Sequence, residues 1–155
     1  MNLSPLRKTA VRRAAFWLAA AAAAMPGAVS AATGGFEVAF AVSGVRSDSG
    51  TLRAVLCTGA EHYPDGCRLA ISAPARVVGS RVVFKDVPAG TYAFALYHDE
   101  DNNGKLTMAR PGLPAEGLAF SNDAIAPTGV PSFKAAALEV KGDAQQTVKM
   151  RYFRR

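Results

Sequence analysis

The sequence predicts an all-β protein, an antiparallel β-sandwich of about seven short strands with one long irregular loop. Three observations carry this expectation. Apolar and polar residues alternate with a period of two through most of the chain. Clusters of Gly, Pro, Asn, Asp and Ser punctuate that alternation at short intervals. Beyond the N-terminal segment no stretch keeps a helical period.

Taken in order, Phe36, Val38, Phe40 and Val42 alternate with Glu37, Ala39 and Ala41 and predict a first strand. Ser43-Gly44 and the polar run Ser47 to Gly50 close it with a turn. Leu52, Ala54 and Leu56 form one face of a second strand, with Arg53 on the other. Arg76 to Val78 and Val82 to Phe84 predict two strands about a Gly79-Ser80 turn. Pro88-Ala89-Gly90 then leads into a strand from Thr91 to Tyr97, with Tyr92, Phe94 and Leu96 on one face. His98 to Pro131 is rich in glycine and proline and forms the long loop. Ala135 to Val140, a Lys141-Gly142-Asp143 turn and Thr147 to Phe153 complete the set, with a helical turn competing only at Ala135 to Ala137. The run Val82-x-Phe84-x-Asp86-Val87-Pro88-Ala89-Gly90-x-Tyr92 is similar to the strand–Pro-Gly–strand hairpin of transthyretin-like and carboxypeptidase-regulatory-like sandwiches. That resemblance, which covers one hairpin, implies an immunoglobulin-like or transthyretin-like architecture.

Residues 1–31 have the layout of a secretory signal peptide. Arg7, Lys8, Arg12 and Arg13 precede an unbroken apolar run, Ala14 to Met25, and small residues follow at Val29-Ser30-Ala31. The run is short for a bilayer span, which takes about 20 residues, so no transmembrane anchor is expected after cleavage. Residues 32–155 then form a single domain in the periplasm, or secreted beyond it. The signal also accounts for most of the charge. The chain has 18 basic and 12 acidic residues, a formal +6; four basic residues and no acid lie in the signal, leaving 14 against 12, or +2. A balance this close to neutral gives no footing for nucleic-acid binding. In an oxidising compartment Cys57 and Cys67, which close a short polar loop, predict a structural disulfide.

The segment from Tyr97 to Leu106 carries the most chemistry. Asp99, Asp101 and Asn103 stand at i, i+2 and i+4, and Gly104 follows. That spacing turns three oxygen-bearing side chains toward one hard cation, while the glycine allows the sharp bend. The Lys105 carbonyl would be the next ligand, and Glu116 or Asp123 would return to complete the shell. Arg110 stands where an EF-hand has its bidentate Glu, and the loop follows a strand, so an EF-hand is excluded and a Ca2+-binding β-loop remains. The competing interpretation is a solvated acidic turn, because Asp, Asn and Gly favour turns for backbone reasons.

The same loop opens a resemblance across most of the mature region. The blocks His98-Asp99-Glu100-Asp101-Asn102-Asn103-Gly104-Lys105-Leu106, Gly112-Leu113-Pro114-Ala115-Glu116-Gly117, Phe120-Ser121-Asn122 and Pro131-Ser132-Phe133 occur in order. In these blocks the chain resembles an uncharacterised family of exported bacterial proteins, domain of unknown function 2141. It departs from the family pattern at Thr107-Met108-Ala109, where another acidic or amide side chain is usual, and at Leu118-Ala119. The resemblance implies fold and location and no activity.

Gly112, Pro114 and Gly117 are expected to shape the long loop, with His98 and Gly104 at its start. Phe120 pins it to the sandwich, and Ser121 and Asn122 satisfy its backbone groups. No nucleophile with a matching base can be named, so no catalytic residue is assigned. The function expected is that of a non-enzymatic binding or structural module of the envelope, with Ca2+ in its loop and an envelope protein or glycan as partner. The alternative is a glycan-acting hydrolase using the loop carboxylates.

Overall fold

The structure is a computed structural model and describes residues 34–127 and 129–153; the expected signal peptide lies outside them. Ten strands are formed: β1 Phe36–Ser43, β2 Thr51–Cys57, β3 Leu69–Pro74, β4 Ser80–Val87, β5 Gly90–Asp99, β6 Met108–Arg110, β7 Leu113–Pro114, β8 Leu118–Phe120, β9 Ala137–Val140 and β10 Ala144–Lys149. A 3-10 turn at Ser121–Asp123 and one helical turn, α1, at Phe133–Ala136 are the other elements among the described residues.

Two sheets make the sandwich. The first has the order β10-β1-β4; the second has the order β3-β2-β5-β8, with β9 also paired to β5. Their inner faces meet in one core. Val38, Phe40, Phe84 and Val148 come from the first sheet, and Leu52, Leu56, Phe94 and Leu96 from the second. The Phe40 and Phe94 rings stack with centroids 3.7 Å apart, and the Phe84 ring meets both edge-on. Buried apolar area of this kind is the main favourable term in folding, worth roughly 25 cal/mol per Å².

Where the alternation is strong, the strands fall as the sequence predicts. The last strand starts and ends early, running Ala144–Lys149 rather than Thr147 to Phe153, and elsewhere four further differences appear. The first concerns Arg76–Val78, which does not form a strand: the side chains of Val77 and Val78 are exposed. Their amide groups are diverted to side chains, Arg76 N–H to Ser80 Oγ (2.9 Å) and Val77 N–H to Asp48 Oδ1 (2.5 Å). The strand lies one segment earlier, in β3, where Leu69, Ile71 and Ala73 face the core from a sheet edge. The second is the expected β4–β5 hairpin, which is instead a crossover between sheets. β4 pairs with β1 and β5 pairs with β2, so Pro88-Ala89 carries the chain across the core. The third is the β1–β10 pair, which is parallel, with Val38 opposite Ala144 and Ser43 opposite Lys149; every other ladder is antiparallel. The fourth is Ala135 to Val140, where α1 precedes β9. The Ser132 side chain accepts from Ala135 N–H and starts the turn.

The long loop is mostly structured. β6 and β7 form a small hairpin within it, and β8 joins the β5 edge beside Ala95–Tyr97. β9 covers the other half of that edge, beside Gly90–Ala93. Between them the buried Ser121 hydroxyl replaces a strand: it accepts from Phe94 N–H (3.0 Å) and donates to the Ala136 carbonyl. Asn122 adds a bond from Nδ2 to the Ala137 carbonyl (2.8 Å). Phe120 packs with Ala95 and Leu118 on the outer face of the second sheet. The Cys57–Cys67 disulfide closes the loop between β2 and β3.

Candidate functional site

Strand alternation decides which groups can meet at the end of β5. Thr51 pairs with Asp99 and Arg53 with Tyr97, so the side chains of Arg53 and Asp99 emerge on the same, outer face of the second sheet. His98 points the opposite way, into the end of the core. Both face buried surroundings, and neither side chain retains solvent access.

Asp99 is hydrogen-bonded through both of its oxygens. Its Oδ2 accepts from Arg53 Nε (2.5 Å) and from Gly104 N–H (2.9 Å), and its Oδ1 accepts from Asn103 N–H (3.0 Å). Burial pushes this carboxyl up, but the Arg53 hydrogen bond and the two amides outweigh it and hold it below the ordinary Asp value. The loop can curl back over Asp99 because Gly104 takes φ +79°, a conformation that costs other residues about 1–2 kcal/mol.

His98 fixes the other side of the strand end. Its Nε2 lies 2.7 Å from the Ser49 carbonyl, which can only accept, so Nε2 carries a hydrogen and donates it there. Nδ1 lies 2.7 Å from the Tyr152 hydroxyl, and that hydroxyl accepts from Arg46 N–H (3.1 Å). The Arg46 guanidinium sits 4.3 Å above the Tyr152 ring and pairs with the Glu100 carboxylate. That pairing is the main reason the Glu100 carboxyl is lowered. His98 is therefore bound into a structural network, with both ring nitrogens engaged.

Three carboxylates converge. Oxygens of Asp99, Asp101 and Glu116 lie within 4.8 Å of one another. Glu116 reaches the group from β7's far side. It accepts from Glu100 N–H through Oε1 (3.3 Å) and from Thr107 N–H through Oε2 (3.0 Å). Burial raises the Glu116 carboxyl, and the Asp101 and Asp99 charges raise it further against those two amides. Asp101 accepts from Asn103 N–H (3.1 Å) and Nδ2 (2.9 Å). Among the described residues, neither Asp101 nor Glu116 has a cationic partner.

The other residues named from the sequence fall around this group. Asn103 turns its Nδ2 toward Asp101 and Thr107, and its Oδ1 accepts from Lys105 N–H (2.7 Å). Asp123 takes no part: it caps the end of β10 by accepting from Lys149 N–H (2.7 Å). Gly112 lies in the β6–β7 turn and Pro114 in β7 opposite Met108. Gly117 is required by space, since a Cβ there would stand 2.5 Å from the Tyr152 ring. Arg53, Arg46 and Tyr152 are functional neighbours that the sequence pattern does not single out. For Arg53 the signal was present, as a lone cation on the outer face of an alternating strand. Packed this closely, the carboxylates suit one shared cation better than a glycosidase pair, which stands roughly 5–10 Å apart across a substrate.

Residues 40–149 match the model of a bacterial family described as "Uncharacterized protein conserved in bacteria (DUF2141)". Neither a curated protein nor a solved structure matches the chain.

Proposed function

The chain belongs to this uncharacterised bacterial family, and from the loop geometry we propose that it is an exported, non-catalytic binding module of the envelope whose acidic loop takes up Ca2+. The observation that carries this reading is the convergence of the Asp99, Asp101 and Glu116 oxygens within 4.8 Å. Hard cations take all-oxygen shells, and carboxylates brought together at mutual electrostatic cost are relieved by one. Arg53 offsets only the Asp99 share of that charge. Asp99 is also held by amide donors, so the site would be weak, in the roughly 10⁻⁴–10⁻³ M range of extracellular calcium modules.

Export is supported by the layout of residues 1–31, and the described residues contain no helix long and apolar enough to cross a membrane. The Cys57–Cys67 disulfide suits an oxidising compartment. With the loop stiffened by the ion, the surface it presents would recognise an envelope protein or glycan.

Thermal melting in calcium and in chelator tests the reading. A cation that binds only the folded chain adds about 1.4 kcal/mol at ten times its Kd, which raises the melting temperature by a few degrees. Asp101→Ala should abolish that rise while leaving the fold intact, because Asp101 is exposed. Equal melting temperatures with 10 mM-scale calcium and with chelator would remove calcium from the account.

A further inference from the structure

The outer face of the second sheet is hollow. Strand register sets two rows of side chains across it: Ser72–Arg53–Tyr97–Leu118 and Ala70–Val55–Ala95–Phe120. Ala95 lies between the larger Val55 and Phe120, and the small Ala70 and Ser72 end the rows on the edge strand, which leaves a depression. Two loops wall it. Gly104–Leu106 stands at the Arg53 end, and Pro64-Asp65 of the disulfide loop stands at the other. The trough has a volume of about 540 Å³, inside the roughly 300–1,000 Å³ range of small-molecule sites.

Its polar groups are unevenly placed. Arg53 spends Nε on Asp99, and its two terminal nitrogens have no partner among the described residues. The Lys105 ammonium and the Tyr97 hydroxyl stand at the same end, and neither makes a hydrogen bond to the described residues. Toward the middle the lining is apolar: Val55 is partly exposed, and Ala95, Leu118 and Phe120 form a floor that is nearly covered by its neighbours. Asp65 is the one acid on the margin, at the far end from Arg53. An apolar floor with two cationic groups and a hydroxyl gathered at one end fits an apolar molecule with an anionic head. A free guanidinium edge presents the paired donors that a carboxylate accepts.

We propose that this trough binds a small apolar carboxylic acid, alkyl or aromatic, with its hydrocarbon on Val55, Ala95, Leu118 and Phe120 and its carboxylate at Arg53 and Lys105. The trough adjoins the carboxylate cluster through the Arg53–Asp99 pair and does not need the cluster to hold a cation. Asp99 already holds Arg53 and the Gly104 wall through hydrogen bonds within the chain.

Decanoate and its neutral analogue decanol, each below its aggregation limit, distinguish this from a merely greasy surface. The full chain, labelled with 15N, is titrated with each in chelator. Saturable shifts are expected at Val55, Ala95 and Phe120, with decanoate bound about tenfold more tightly than decanol. Arg53→Met should erase that preference. Because Arg53 also holds Asp99, Lys105→Gln on the exposed loop serves as the milder variant and should reduce the preference severalfold in a fully folded chain. Ser72→Trp, at an exposed position on the edge strand, fills the trough and should abolish binding of both compounds. Three results would overturn the proposal: no saturable binding of decanoate, equal affinities with no effect of either cation variant, or binding that survives Ser72→Trp. Self-association of the free chain through these same residues would overturn it too, since a second copy would then occupy the trough.

Discussion

Asp99 has no solvent-accessible surface and still keeps its charge, because three donors reach its two oxygens: Arg53 and Gly104 at Oδ2 and Asn103 at Oδ1, which leaves one Oδ1 lone pair open. Replacing it with Asn removes the charge and sets an NH2 group against an N–H that had been accepted. A loss of about 1–3 kcal/mol at pH 7 is expected from denaturant unfolding. The pH dependence has a definite sign. A carboxyl held below its ordinary value stabilises the fold above that value and loses the contribution as pH falls through its lowered value. The gap between Asp99→Asn and the parent chain should therefore narrow below the ordinary Asp value of 3.8. Glu116 behaves in the opposite way. Its carboxyl is raised, so it takes up a proton before its neighbours as the solution is acidified. If the three carboxylates hold Ca2+, the calcium-induced rise in melting temperature at pH 7 should be largely gone at pH 4.5, the ordinary Glu value, where Glu116 is mostly protonated. A calcium shift that persists unchanged at that pH would place the ion elsewhere.

At the scale of elements, the edge of β5 is completed by two short strands and a serine. Ser121→Ala would leave Phe94 N–H and the Ala136 carbonyl without their buried partner, at a cost of about 1–3 kcal/mol. Hydrogen exchange checks the mechanism: the Phe94 amide should exchange much faster in the variant, while amides in the β1–β4 ladder keep their protection. This junction also shows what could be read from sequence. β1, β2 and β5 were legible because one face of each is uniformly apolar and the other mixed. β3 was not, since its outer face is Ala70 and Ser72, too small to mark an alternation. Val77 and Val78 carried the stronger β signal and are exposed, their segment being held by Asp48 and Ser80 side chains that local pattern cannot anticipate. In the loop, the Asp99–Asp101 spacing was visible. The return of Glu116 became definite only with the β6–β7 hairpin, whose geometry brings its carboxylate to the Thr107 amide.

At the scale of the described domain, two sheets share one core, with the carboxylate cluster at one end and the trough on one outer face. A domain of this length has enough interior to fold on apolar burial, and total stabilities of roughly 5–15 kcal/mol are usual. Phe94→Ala, which removes a ring packed between Phe40 and Phe84, should cost about 3–5 kcal/mol and threaten folding outright. The Cys57–Cys67 disulfide closes a loop with a sequence separation of 10, worth about 2–3 kcal/mol by loop entropy. It should therefore be dispensable to the fold. Its larger effect lies in the trough, because Pro64-Asp65 of that loop forms one wall while the carboxylate cluster sits at the other end of the sheet. A Cys57→Ala/Cys67→Ala chain should melt lower but cooperatively, and keep whatever calcium response the parent shows. It should bind decanoate roughly five- to thirtyfold more weakly if ordering the loosened wall at binding costs about 1–2 kcal/mol, the amount for one immobilised residue. Titration of this variant beside the parent separates the two surfaces. Losing both responses together would mean that loop and cluster are coupled through the sheet.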